Sequence, residues 1–216
     1  MEYFSIDTPS LKASFKEAVI KGIAPDKGLY YPDYIPGLDP RFFDQIESLS
    51  PVEIGLEVMG PFTKDILSKS DLKKVLETVL DFDFPIVPLT DSIGSLELFH
   101  GPTLAFKDVG ARFMAQCLGL FSEGNQAPVT VLVATSGDTG GAVANGFLGV
   151  EGVEVVILYP SGKVSPIQEK QLTTLGQNIQ ALEVDGTFDD CQKMVKTAFL
   201  DPEITDHKQQ IGRAHV

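Results

Sequence analysis

A chain of 216 residues with 43% hydrophobic side chains has enough apolar content for a sizeable core, built as one large domain or a domain and a half. Its formal net charge of −13 argues against nucleic acid or an anionic membrane as the main partner, because both select cationic surfaces. Any anionic ligand must therefore be held locally. The two cysteines, Cys117 and Cys191, fit neither a disulfide framework nor a metal cluster. Both are expected to be reduced, and no metal site is expected. The opening MEYFSIDTPS lacks a basic region followed by a long apolar core, and no run approaches the length of a membrane span. A cytoplasmic location is the expectation.

Residues 1–85 read as a first region, rich in Pro and Tyr turns, with helical periodicity around Leu11 to Lys21 and Asp71 to Leu80. From Ile93 the pattern changes to alternation: a short strand at Ser95 to Phe99, a helix from Asp108, and the strongly apolar strand Val129 to Ala134. A helix from about Thr139 then precedes Val153 to Tyr159, a helix from Pro166 precedes Ile179 to Val184, and a last helix covers Phe188 to Phe199. Strand–helix alternation with apolar strands predicts an α/β fold, a parallel sheet covered on both faces by flanking helices.

Two junctions carry chemistry. In HGPTLAFKDVGARFMAQ, His100 to Gln116, Lys107 sits between the apolar Leu104, Ala105 and Phe106 and an amphipathic helix that turns Phe113, Met114, Cys117 and Leu118 inward. A lysine amine attacks a carbonyl only when neutral, and apolar surroundings lower the cost of that form. The plain alternative is a solvated lysine at a helix start. The second junction follows Val129 to Ala134, where Thr135-Ser136-Gly137-Asp138-Thr139-Gly140-Gly141 runs into a helix. Free N–H groups, small residues and three hydroxyls suit an anion at such a strand edge, although a simple strand–helix turn has the same composition. The Pro160 to Lys163 stretch, PSGK, is no nucleotide-binding P-loop: that pattern needs Gly in place of Ile157 and Ser or Thr in place of Val164. Ser161 and Lys163 follow an apolar strand and reach the same sheet edge, where Lys163 either meets a phosphorylated ligand or is solvated. His100 is either a polar lining group or a packed histidine with its own partner.

The segment LELFHGPTLAFKD, Leu96 to Asp108, resembles the cofactor-lysine motif of the threonine synthase family, pyridoxal-phosphate (PLP) enzymes of the tryptophan synthase β-subunit-like superfamily. EAVIKGIAPDKGLYYPDYIP, Glu17 to Pro36, is similar to that family's opening segment, and ATSGDTGGAVA, Ala134 to Ala144, to its substrate loop. ILYPSGKVSPIQEKQLTTLGQNI, Ile157 to Ile179, also resembles the family, and the matches fall in family order. A lone TSGDTG would point only to the superfamily, whereas the lysine and PSGKVSP blocks point to threonine synthase.

The resemblance implies fold type II, with an N-terminal region over 1–85 and a PLP-dependent catalytic domain over 86–209 that is truncated at its C-terminus. It implies that Lys107 carries pyridoxal 5′-phosphate as a Schiff base, with Phe106 and Asp138 also at the cofactor. Asp138 would stand near the phenolic oxygen, where superfamily members that make cysteine carry Asn. Thr135, Ser136, Gly137, Thr139 and Lys163 are implied to bind substrate. The implied reaction is that of a carbon–oxygen lyase converting O-phospho-L-homoserine and water to L-threonine and phosphate. The alternatives are a related PLP-dependent lyase acting on an amino-acid phosphate and a non-catalytic homologue. In this family the Gly-rich loop for the cofactor phosphate and the partner of the pyridine nitrogen lie beyond the matched portion, so the chain by itself is expected to be inactive. The closing Gln210 to Val216, QIGRAHV, is expected to be a non-native tail, because Ile-Gly-Arg-Ala-His-Val is one frame of ATCGGAAGAGCACACGTC, a sequencing adapter.

Overall fold

The computed structural model describes residues 1–124, 128–199, 201–207 and 211–213, with the backbone alone described from 205 onward. The chain divides into two compact units, Met1–Asp81 and Phe82–Val216.

In the first unit Tyr3–Ser5 (β1) pairs antiparallel with Lys12–Ala13 (β2) and with Tyr30–Pro32 (β3). Phe15–Lys21 (α1) starts at a capping box, in which Ser14 accepts from the Glu17 N–H and Glu17 accepts from the Ser14 N–H. This helix falls within the periodicity noted in the sequence. Pro40–Gln45 (α2) runs into a 3₁₀ turn at Ile46–Ser48, followed by Pro51–Thr63 (α3) and Lys69–Val79 (α4). α4 buries Leu72, Val75, Leu76 and Val79, a one-face spacing. α3 meets it at Gly55, whose absent side chain leaves room for Leu76.

The second unit opens with a hairpin of Ile86–Thr90 (β4) and Ile93–Leu96 (β5), paired antiparallel. The strand expected at Ser95 to Phe99 is thus corrected: its first residues end the hairpin's second arm, and it takes no part in the parallel sheet. Next come Asp108–Ser122 (α5), Val129–Ala134 (β6), Asp138–Phe147 (α6), Val153–Pro160 (β7), Pro166–Thr173 (α7), Ile179–Val184 (β8), Phe188–Ala198 (α8), Pro202–His207 (α9) and Ile211–Arg213 (β9). The order β8-β7-β6-β9 is parallel throughout. Of the Gln210 to Val216 tail, Gln210 and 214–216 lie outside the described residues, and 211–213 pairs with Thr130 to Leu132.

The two faces of this sheet differ. Val129, Val131, Val133, Val155 and Ile157 are almost completely buried on the face where α5 and α6 pack, each contributing roughly 1.5–3 kcal/mol. Gly146 lets α6 approach the α5 backbone closely, since a Cβ there would stand 3.2 Å from the main chain at Ala111 and Arg112. On the other face α8 covers Leu158 with Cys191 and Val195, while Leu132, Val156 and Val184 are only partly buried. An open groove of about 720 Å³ remains there. Coverage of both faces is therefore unequal.

Candidate active site

Parallel pairing brings the C-terminal ends of β6 and β7 to one edge: Ala134 is opposite Leu158, and the Thr135 N–H donates to the Leu158 carbonyl at 3.0 Å. The helices on either side of β6, α5 and α6, pack against each other, and their first residues form the site.

Lys107 is held by the loop that precedes it. Asp108, only 1% exposed, turns back over that loop: its carboxylate accepts from the Thr103 N–H at 2.9 Å and from the Thr103 hydroxyl. Gly101 must be glycine for this, because a Cβ would sit 2.5 Å from Asp108 Oδ2. The turn continues with the Leu104 N–H donating to Gly101 at 3.1 Å and the Asp108 N–H to Ala105 at 3.0 Å. Leu104 adopts φ +60, a left-handed conformation disfavoured for a branched side chain and one that clusters at functional sites. Leu104 and Phe106 are exposed, and Ala105 is buried. Lys107 then occupies the N-cap of α5, where its side chain makes no capping hydrogen bond and is 17% exposed.

The Lys107 amine lies 4.2 Å from the Phe106 ring centroid and 4.0 Å from Asp138 Oδ2. Of the sequence-expected residues, Lys107, Phe106 and Asp138 are thus in one place. Gly137 is the N-cap of α6 and has φ +143, a conformation reserved for glycine. Thr135 turns inward. It is 1% exposed, and its hydroxyl accepts from the Gly137 N–H at 3.0 Å and the Gly140 N–H at 2.8 Å. That hydroxyl shapes the turn and does not face outward as a ligand group, which corrects the picture of three hydroxyls presented together. The hydroxyls of Ser136 and Thr139 take no hydrogen-bond partner among the described residues, and Ser136 is exposed. Lys163 lies on the loop after β7, at the same sheet edge, with Nζ donating to the Gly186 carbonyl at 2.9 Å. Beside it Ser161 donates to Glu183 at 2.6 Å. His100 is paired with Glu97 at 2.7 Å and stacked on Phe99, so it has its own partner.

A primary amine with little exposure, a neighbouring aromatic face, a carboxylate and two unpaired hydroxyls at an open helix start fit an aldehyde cofactor and an amino-acid carboxylate. Residues 95–209, more than half of the chain, match the family model described as pyridoxal-phosphate dependent enzyme. The chain belongs to that family. Residues 2–79 match a second model, threonine synthase N terminus. The chain is 42% identical to the threonine synthase of Buchnera aphidicola from Acyrthosiphon pisum, covering 98% of this chain and 49% of that protein. Against Escherichia coli threonine synthase the identity is 42%, over 94% of this chain and 47% of that one. The chain spans about half the length of the curated relatives it matches. Among solved structures, E. coli threonine synthase gives a TM-score of 0.88 at 40% identity, covering all of this chain and 50% of that one. The PLP-bound threonine synthase of Brucella melitensis gives 0.91 at 35%, covering all of this chain and 48% of that one. No helix among the described residues is long and apolar enough to cross a membrane.

Sequence reasoning missed two residues of the site. Asp108 reads as an ordinary acidic first-turn residue, and its partner Thr103 lies five residues back, outside any capping pattern. Gln168, on α7, donates from its side-chain amide to Asp138 Oδ1. Only the fold brings residues thirty positions apart together.

Proposed function

We propose that this chain provides the cofactor lysine and substrate loop of a threonine synthase, which converts O-phospho-L-homoserine and water to L-threonine and phosphate. The observation that carries the reading is the meeting of Lys107, at the start of α5, with Asp138, at the start of α6, 4.0 Å apart at a parallel-sheet edge. When bound, pyridoxal phosphate would supply an electron sink for negative charge at the substrate's α and β carbons.

The chain's own residues then have distinct tasks. Lys107 Nζ would hold the cofactor through its aldehyde carbon, and the same nitrogen, as the free amine, would carry protons to and from the substrate's α and β carbons. Phe106 lines the approach to the amine. Asp138 would stand near the cofactor's phenolic oxygen, where its carboxylate can accept from the protonated phenol. The Ser136 and Thr139 hydroxyls and the backbone at Gly137 would bind the substrate carboxylate, on a loop whose shape Thr135 maintains. The helix-start contribution is only about 0.3–1 kcal/mol when exposed, so the hydroxyls have to add to it. Lys163 would leave the Gly186 carbonyl to meet the substrate phosphate, an exchange of a neutral acceptor for a charged one.

The test is Lys107→Ala in the relative-length protein that contains this chain. Loss of both the cofactor's visible absorbance and threonine formation is expected, and retained turnover would refute the reading.

A further inference from the structure

Asp138 has two neighbours that compete for its carboxylate. The Gln168 amide donates from Nε2 to Oδ1, while Lys107 Nζ stands 4.0 Å from Oδ2, beyond hydrogen-bond range. An ammonium and a carboxylate free to approach close to about 2.7–2.9 Å. The open distance therefore needs a restraint, and three features of Gln168 provide it. The Ser165 hydroxyl donates to Gln168 Oε1 at 2.9 Å, which leaves the NH₂ side facing a carboxylate that only accepts. The Gln168 N–H donates back to Ser165 Oγ at 3.4 Å, in a first turn that also carries Pro166 at its start. The Gln168 side chain also lies against Gly137, where a Cβ would come within 2.5 Å of it, so the loop backbone and the amide confine each other.

We propose that Gln168 is a positioning residue that holds the Asp138 carboxylate back from Lys107 and so keeps the amine open to a carbonyl compound. The proposal rests on Lys107 being the cofactor lysine. Without the amide, Asp138 closes onto Nζ, and the amine is tied up as a hydrogen-bonded ion pair. Phe106, 4.2 Å from Nζ, supports the amine from its other neighbour and is unaffected by the change.

The test is competitive acylation of the 216-residue chain with limiting acetic anhydride at fixed pH, quantified for each lysine by mass spectrometry. In Gln168→Leu the Lys107 rate is expected to fall about two- to five-fold, the range of a partly exposed ion pair. Lys170, exposed on the same helix, keeps its rate. Gln168→Glu, which sets a second carboxylate beside Asp138, is expected to lower the Lys107 rate as well. In an Asp138→Asn background Gln168→Leu leaves Lys107 unchanged. A Lys107 rate that stays constant or rises in Gln168→Leu, an equal fall in the Asp138→Asn background, or a joint change at Lys170 overturns the proposal. The labelling needs no cofactor, so failure of Lys107 to capture pyridoxal phosphate would defeat the functional reading without altering this result.

Discussion

Among the described residues, seven helices begin one way and two begin another. α1, α2, α3, α4, α7, α8 and α9 each start at a Ser, Asp or Thr whose side chain accepts a first-turn N–H: Ser14, Asp39, Ser50, Ser68, Ser165, Thr187 and Asp201. α5 and α6 start at Lys107 and Gly137, whose own side chains make no capping hydrogen bond, although at α6 the Thr135 hydroxyl two residues back accepts the first-turn Gly140 N–H. A cap contributes about 1 kcal/mol by satisfying donors that are otherwise left to water or a ligand. These two starts, at which the N-cap residue itself supplies no acceptor, are also the two that face each other across Lys107 and Asp138.

The widest separation between the two kinds of start is expected from Lys107→Ala, which removes the nitrogen we propose bonds the cofactor. Incubation with pyridoxal phosphate should then give no absorbance from a lysine-bound cofactor, and an unchanged spectrum would break the contrast. Gly137→Ala is expected to rank second. It adds a Cβ at φ +143 and 2.5 Å from Gln168, at a cost of about 1–3 kcal/mol read by urea denaturation, together with loss of cofactor capture.

A capped start should behave oppositely. Thr187→Ala is expected to cost about 1 kcal/mol at neutral pH while cofactor capture persists. Its pH dependence follows from Asp190, whose carboxyl the Thr187 hydroxyl and N–H hold below the usual range. A depressed carboxyl stabilises the fold above its unfolded value of about 3.9 and loses that contribution as pH falls through the lower folded value. The wild-type chain should therefore lose stability below about pH 4 more steeply than Thr187→Ala, as denaturation at a series of acid pH values would show. The smallest effect concerns the thiols. Burial pushes the Cys117 thiol up to about 12 and raises Cys191. Both are buried and free, so a thiol reagent should react with neither until denaturant is added.

Much of the second unit was legible because its signals are local. Val129 to Ala134 and Ile179 to Val184 read as strands with the bounds observed, and Val153–Pro160 runs one residue further than expected. The hairpin was not legible as such: Ile86–Thr90 and Ile93–Leu96 are largely exposed in this chain, so no half-buried alternation marks them. In the first unit α3 went unread although Ser50, Pro51 and Glu53 form a helix-start signature, since its apolar residues do not gather on one narrow stripe. The site divides in the same way. Lys107 and the Thr135 to Gly140 loop stood out by residue type, whereas the inward turn of Thr135, the reach of Asp108 and the contact of Gln168 depend on which strands lie side by side.

On the proposed function, Lys107 is the lysine that bonds the cofactor. Borohydride reduction of the chain with pyridoxal phosphate, followed by peptide mapping, tests it most directly. Label is expected on Lys107 far above every other lysine, including the more exposed Lys12 and Lys74. Label spread over the lysines according to exposure, with no excess at Lys107, would contradict it.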